Sequence, residues 1–166
     1  MNLIKYFLRK YIVFIYPLIA VCIALVQSFM IRSDFALFVK LLVPGVCMLF
    51  AMRASDDIFD FEKDKATKVQ YLSKKQLVFL RTFFWCGFVI SNVLFYGIAG
   101  WYSLLFVGCT LLWEKISALK VLFATLWFSY CFVLNADFNT FRFGAGVAVC
   151  LAFSILYGFC KKRIKK

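Results

Sequence analysis

Apolar residues fall in long blocks along this chain, and charged residues gather between them. Six blocks can be read: Tyr11 to Met30, Phe35 to Met52, Leu77 to Tyr96, Ile98 or Trp101 to Trp113, about Leu119 to Leu134, and Phe143 to Cys160. Crossing a bilayer core takes roughly 20 apolar residues in a helix, so the pattern predicts six transmembrane helices, the fourth of them short. Pro44 and Gly45 predict a kink or local unwinding inside the second. Gly97 and Gly100 predict a tight hairpin between the third and fourth. The first block follows Lys5, Arg9 and Lys10, as a signal peptide would. Its apolar stretch is too long for an h-region and no small-residue cleavage site follows, so it reads as a retained helix.

Composition agrees with the pattern. The chain has 166 residues, 64% of them hydrophobic, with a mean hydropathy of +0.88. A soluble domain is nearer half apolar. The fold class is therefore all-α, a polytopic membrane helical bundle forming a single domain over 1–166. The net charge of +12 would suggest nucleic acid in a soluble protein. In a membrane protein, Lys and Arg instead mark the cytoplasmic loops, and no nucleic-acid partner is expected. If six helices alternate, only Arg32, Lys40 and Arg142 of the 20 basic residues fall on the side opposite both termini. That asymmetry predicts a multi-pass integral protein of the cell (inner) membrane with cytoplasmic termini. Basic residues there also suit anionic membrane lipid or a phosphate-bearing substrate. The seven cysteines form no CxxC pair and the chain has no His, so zinc and disulfide frameworks are not expected; these are apolar packing residues.

Charge changes the picture at one place. Asp56 to Asp64 reads Asp-Asp-Ile-Phe-Asp-Phe-Glu-Lys-Asp and carries five of the eight acidic residues. If the second helix continues a turn or two past Met52, then Asp57, Asp60 and Asp64, at i, i+3 and i+7, share one narrow face, with Asp56 flanking it. Mg²⁺ typically takes one or two carboxylates plus substrate phosphates. The aspartates, with the basic residues Lys68, Arg81, Lys115 and Lys120 nearby in the same cytoplasmic loops, suit a Mg²⁺–diphosphate site. A solvated loop at a helix end is the plainer account of such a run, and Glu62 and Lys63 fit it. Lys40 and Arg81 lie within or beside apolar blocks, where charge is a functional candidate, although both are close enough to helix ends to snorkel. Arg81, on the cytoplasmic side, is the better phosphate contact of the two.

Asp56-Asp57-x-x-Asp60-x-x-x-Asp64 resembles the first aspartate-rich motif of the UbiA-type intramembrane prenyltransferases. Arg53 precedes it, as an Arg often does in that family, and Lys68 stands where the family tends to have Lys or Arg. Trp113-Glu114-Lys115, followed by Leu119-Lys120, is similar to the basic end of the family's fourth helix. The resemblance covers about residues 1–135. It implies a UbiA-like bundle in which Asp56, Asp57, Asp60 and Asp64 bind Mg²⁺ and an isoprenyl diphosphate. Arg53, Lys68, Arg81, Lys115 and Lys120 would contact the diphosphate, and the isoprenyl group would pass to an acceptor.

The chain also departs from that family. The family has nine helices and a second aspartate motif, whereas here the only acids after Asp64 are Glu114 and Asp137. Val69-Gln70-Tyr71-Leu72 stands where the family has Arg-Pro. Three readings follow: a homodimer or second subunit completes the site; the basic residues Lys161, Lys162 and Arg163 replace the second metal; or the chain is a degenerate, non-catalytic polytopic protein acting as a scaffold or accessory subunit.

Overall fold

The computed structural model describes residues 2–9, 17–22, 24–25, 28, 35–62 and 71–112, then 122–124, 126–127, 130–131, 134, 144, 148 and 152. Among the described residues the regular structure is entirely helical. Helix α1 spans Asn2–Arg9, α2 Phe35–Phe59 and α3 Lys74–Tyr96. A 3₁₀ segment, Gly97–Tyr102, leads into α4, Ser103–Leu112. The described residues in the blocks at 11–30, 119–134 and 143–160 are helical as well, and the remainder of those blocks lies outside the described residues.

Among the described residues, two stretches are long and apolar enough to cross a membrane, Phe35–Phe59 and Lys74–Leu112. Six were expected; the blocks at 11–30, 119–134 and 143–160 lie largely outside the described residues, and two of the others run together. The third and fourth blocks join without a helical gap because the 3₁₀ segment bridges them. The predicted hairpin is nevertheless there. Eight residues of straight helix would separate Gly100 from Asn92 by about 12 Å. Instead, a Cβ placed on Gly100 would run into the backbone carbonyl of Asn92 and the Cα of Val93. The chain has turned back on itself. Gly97 starts the turn at φ +58°, a conformation that favours glycine, with its N–H bonded to the Val93 carbonyl.

The helix boundaries follow local chemistry. Ser73 and Gln76 form a capping box: the Gln76 N–H donates to Ser73 Oγ at 3.3 Å and the Ser73 N–H donates to Gln76 Oε1 at 2.9 Å. That fixes the start of α3 at Lys74, one turn before the apolar block begins. Helix α2 runs through Pro44 and Gly45 without the predicted unwinding. Pro44 has no N–H to give to the carbonyl of Lys40 four residues back. The Tyr96 hydroxyl, from the far end of α3, donates to that carbonyl in a long 3.5 Å bond. A neighbouring helix thus supplies the donor that proline removes.

Packing of α2 on α3 uses a stripe on α2: Leu37, Leu41, Pro44 with Gly45, Met48, Ala51, and Ala54 with Ser55. Steps of three and four residues keep it on one face. Much of the stripe is small, which lets two helices approach closely. On α3, a Cβ added to Gly87 would sit 3.2 Å from Cys47 Sγ. The main core joins this stripe to Trp85 and Phe88 of α3 and to Trp127 and Cys131. The outward side chains are apolar too, among them Phe79, Phe83, Ile90 and Leu94 on α3 and Leu104, Leu105 and Leu112 on α4. A water-facing helix would carry polar residues there.

A second, smaller cluster of Tyr6, Leu72, Leu77 and Leu80 closes one end of the α2–α3 pair. Phe7 meets Phe50 edge-on at 5.8 Å, and Phe50 stacks on Phe84 at 5.0 Å. These contacts seat α1 beside the acidic end of α2.

Candidate functional site at the acidic end of α2

Helix α2 continues seven residues beyond Met52, to Phe59, and so carries the first part of the acidic run. The Asp60 N–H still bonds to the Asp56 carbonyl at 2.9 Å, which extends the helical register through Asp60. Arg53, Asp56 and Asp60 are half-buried, and Asp57 is buried at 7% exposure.

Asp57 is held from two sides. Arg53 Nη2 donates to Asp57 Oδ1 at 2.7 Å, an i, i+4 ion pair along α2. The Tyr6 hydroxyl donates to Asp57 Oδ2 at 2.6 Å, across 51 residues of sequence. Each carboxylate oxygen therefore has a donor, which is what burial of a charge demands. The Arg53 side chain keeps 27% exposure and lines a small crevice with Tyr6, Phe7, Phe50, Ala54, Leu80 and Phe84. One guanidinium thus lies at the edge of an aromatic cluster.

Of the residues expected at the site, Arg53, Asp56, Asp57 and Asp60 come together at the end of α2. Arg81 lies in the second turn of α3, half-buried and next in sequence to Leu80 of the small cluster. Asp64, Lys68, Lys115 and Lys120 lie outside the described residues, as do Lys161, Lys162 and Arg163. Tyr6 was missing from the sequence reading. No spacing rule links a tyrosine in α1 to a carboxylate 51 residues later; only the fold makes the pair.

Among the described residues no group of three or more His, Cys, Asp or Glu side chains gathers closely enough to hold a metal ion. A cation site at this end would have to be built with fewer carboxylates. Asp56 and Asp60 are four residues apart, on the same side of the helix, and a Mg²⁺ ion needs only one or two carboxylates when phosphate oxygens complete its shell. No family model, curated protein or solved structure matches the chain.

Proposed function

We propose that this chain is a UbiA-like, multi-pass membrane protein that binds an isoprenyl diphosphate at the end of α2 and transfers the isoprenyl group to an acceptor. The observation that carries the reading is the continuation of α2 to Phe59, which aligns Arg53, Asp56 and Asp60 along successive turns. The apolar outward faces of α3 and α4 support a lipid setting, and the distribution of Lys and Arg supports cytoplasmic termini.

Bound Mg²⁺ would supply charge neutralisation for the departing diphosphate. The residues of this chain do the rest. Asp56 and Asp60 provide hard oxygen donors, and Arg53 offers a guanidinium to phosphate oxygens. The bond between the allylic carbon and the diphosphate oxygen breaks, and its electron pair leaves with the diphosphate. A nucleophilic carbon of the acceptor forms the new bond and loses a proton. A homodimer or second subunit would complete the half of the site that this sequence lacks.

The second reading, a non-catalytic polytopic scaffold or accessory subunit, is favoured by one observation: Asp57 is already engaged by Arg53 and Tyr6. Purified protein in nanodiscs separates the two readings. Transfer predicts Mg²⁺-dependent binding of farnesyl diphosphate and release of diphosphate, both lost in Asp56→Ala/Asp60→Ala. Binding that is absent, or indifferent to these substitutions, rules out the enzyme.

A further inference from the structure

We infer that α1 is an interfacial helix: it lies across the cytoplasmic end of α2, sets Leu3, Ile4 and Leu8 into the hydrocarbon edge of the bilayer, and holds Lys5 among anionic lipid headgroups. The inference rests on the membrane and topology reading of α2 and α3 above and is independent of prenyl transfer.

The helix has two unlike sides. At about 100° per residue, Leu3, Phe7, Ile4 and Leu8 of Asn2–Arg9 fall within an arc of about 140°. Lys5 and the register position of Arg9 fall opposite that arc. In the fold, Leu3, Ile4 and Leu8 are exposed at 45%, 64% and 53%, and Lys5 is exposed as well. Bare aliphatic side chains on one side and a cation on the other are the pattern of a helix lying in the boundary between headgroups and acyl chains.

The contacts of α1 set its direction. Tyr6 and Phe7 are neighbours, separated by a rise of about 1.5 Å and a rotation of about 100°. Yet Tyr6 reaches Asp57 while Phe7 meets Phe50, seven residues and about 10 Å away on the same face of α2. A helix running alongside α2 would put two neighbours at nearly one level. A helix crossing α2 converts the rotation between them into a separation along α2. Among the described residues the α1 backbone does not run beside α2 or α3, as a crossing requires. Tyr6 then points toward the acidic end of α2, and Phe7 toward its apolar middle. Continuing the same rotation carries Ile4 and Leu8 past Phe7 to the hydrocarbon side, and carries Lys5 past Tyr6 to the water side. Phe79 and Phe83, in the first three turns of α3, are bare at the same end of the bundle.

Charge identifies what covers this helix. The cytoplasmic leaflet has a negative surface potential that attracts basic segments beside a membrane span, and Lys5, Arg9 and Lys10 precede the first apolar block. A second copy of this chain, at net charge +12, would bring cations against cations.

Tryptophan substitution in the full chain, reconstituted in lipid vesicles, tests the placement through the emission added to the wild-type signal. Ile4→Trp is expected to be quenched by lipids brominated high on the acyl chain and spared by aqueous acrylamide. Lys5→Trp is expected to show the reverse. Both positions are exposed, so the larger ring enters without repacking. Equal quenching by acrylamide at the two positions overturns the proposal, because α1 would then stand in water. Equal quenching by the brominated lipid also overturns it, because α1 would be embedded on all sides. An Ile4→Trp signal shielded from both quenchers overturns it as well, since protein would then cover the face. Hydrogen exchange in nanodiscs tests the headgroup contact. With phosphatidylglycerol in the bilayer, protection of the α1 amides is expected to be about fivefold lower in Lys5→Gln than in wild type, the scale for one basic side chain at an anionic surface. In phosphatidylcholine alone the two proteins are expected to match. Equal protection of the two proteins in both bilayers overturns the headgroup contact. Wild-type protein that fails to float with the vesicles defeats the membrane reading itself, a result distinct from all of these.

Discussion

Asn92 offers the sharpest test of how this bundle is joined. It is 2% exposed, donates from Nδ2 to the Phe88 carbonyl at 2.8 Å, and accepts at Oδ1 from the indole N–H of Trp127 at 3.1 Å. Trp127 is fully buried and meets Phe88 edge-on at 5.1 Å. Asn92→Ala removes this acceptor from the buried indole N–H, a cost of about 1–3 kcal/mol. Hydrogen bonds between helices in lipid measure lower, averaging about 0.6 and reaching about 1.7 kcal/mol. Trp127→Phe removes the donor from the other side. Because the double variant has lost both partners, the cycle isolates their coupling, which should fall at about 0.6–1.7 kcal/mol. The volume lost at each position appears in both arms and cancels. Equilibrium unfolding in mixed micelles, followed by far-UV circular dichroism, measures all four proteins. Single costs that add to the double within about 0.3–0.5 kcal/mol, the usual scatter for independent sites, would refute the claim that this pair ties α3 to the block containing Trp127.

Two further predictions concern the backbone. Gly100→Ala drives a methyl into the Asn92 carbonyl and the Val93 Cα, so the reversal must open at a cost of about 1–3 kcal/mol, read as a lower melting temperature; an unchanged melting temperature would show that the turn yields freely. Tyr96→Phe removes the donor to the Lys40 carbonyl opposite Pro44 and should cost about 1 kcal/mol. Pro44→Ala, which restores a backbone N–H to that carbonyl, should reduce the effect of Tyr96→Phe to what the Tyr96 contact with Cys131 contributes, and equal losses in both backgrounds would disprove the compensation.

The comparison of sequence with structure is instructive element by element. Apolar runs were enough to mark α2 and α3, because a helix surrounded by apolar partners carries its signature in composition alone. The two glycines marked the reversal for a local reason, since φ +58° at Gly97 strains any side chain and the close approach at Gly100 leaves no room for one. The end of α2 was less legible. An apolar block stops at the first charges, yet the backbone bonds continue past them to Phe59. The start of α3 was present in the sequence as Ser73-x-x-Gln76, a capping signal that the apolar pattern by itself passes over. Expectations at Asp64, Lys68, Lys115 and Lys120 lie outside the described residues.

Sequence by itself determined the helical class, the apolar character of its faces, and the concentration of carboxylates after Met52. These depend on residue type and on spacings of one to four residues, which local geometry converts directly into structure. Only the tertiary structure decided what the carboxylates meet. Asp57, expected among the metal ligands, is the partner of Arg53 and of Tyr6, and the second of those contacts spans 51 residues. The Lys40 carbonyl found its donor 56 residues away, in Tyr96. Such pairings depend on which helix ends are brought together, and no local periodicity encodes that. They arise because a buried polar group must find a partner wherever the packing of α1, α2 and α3 presents one.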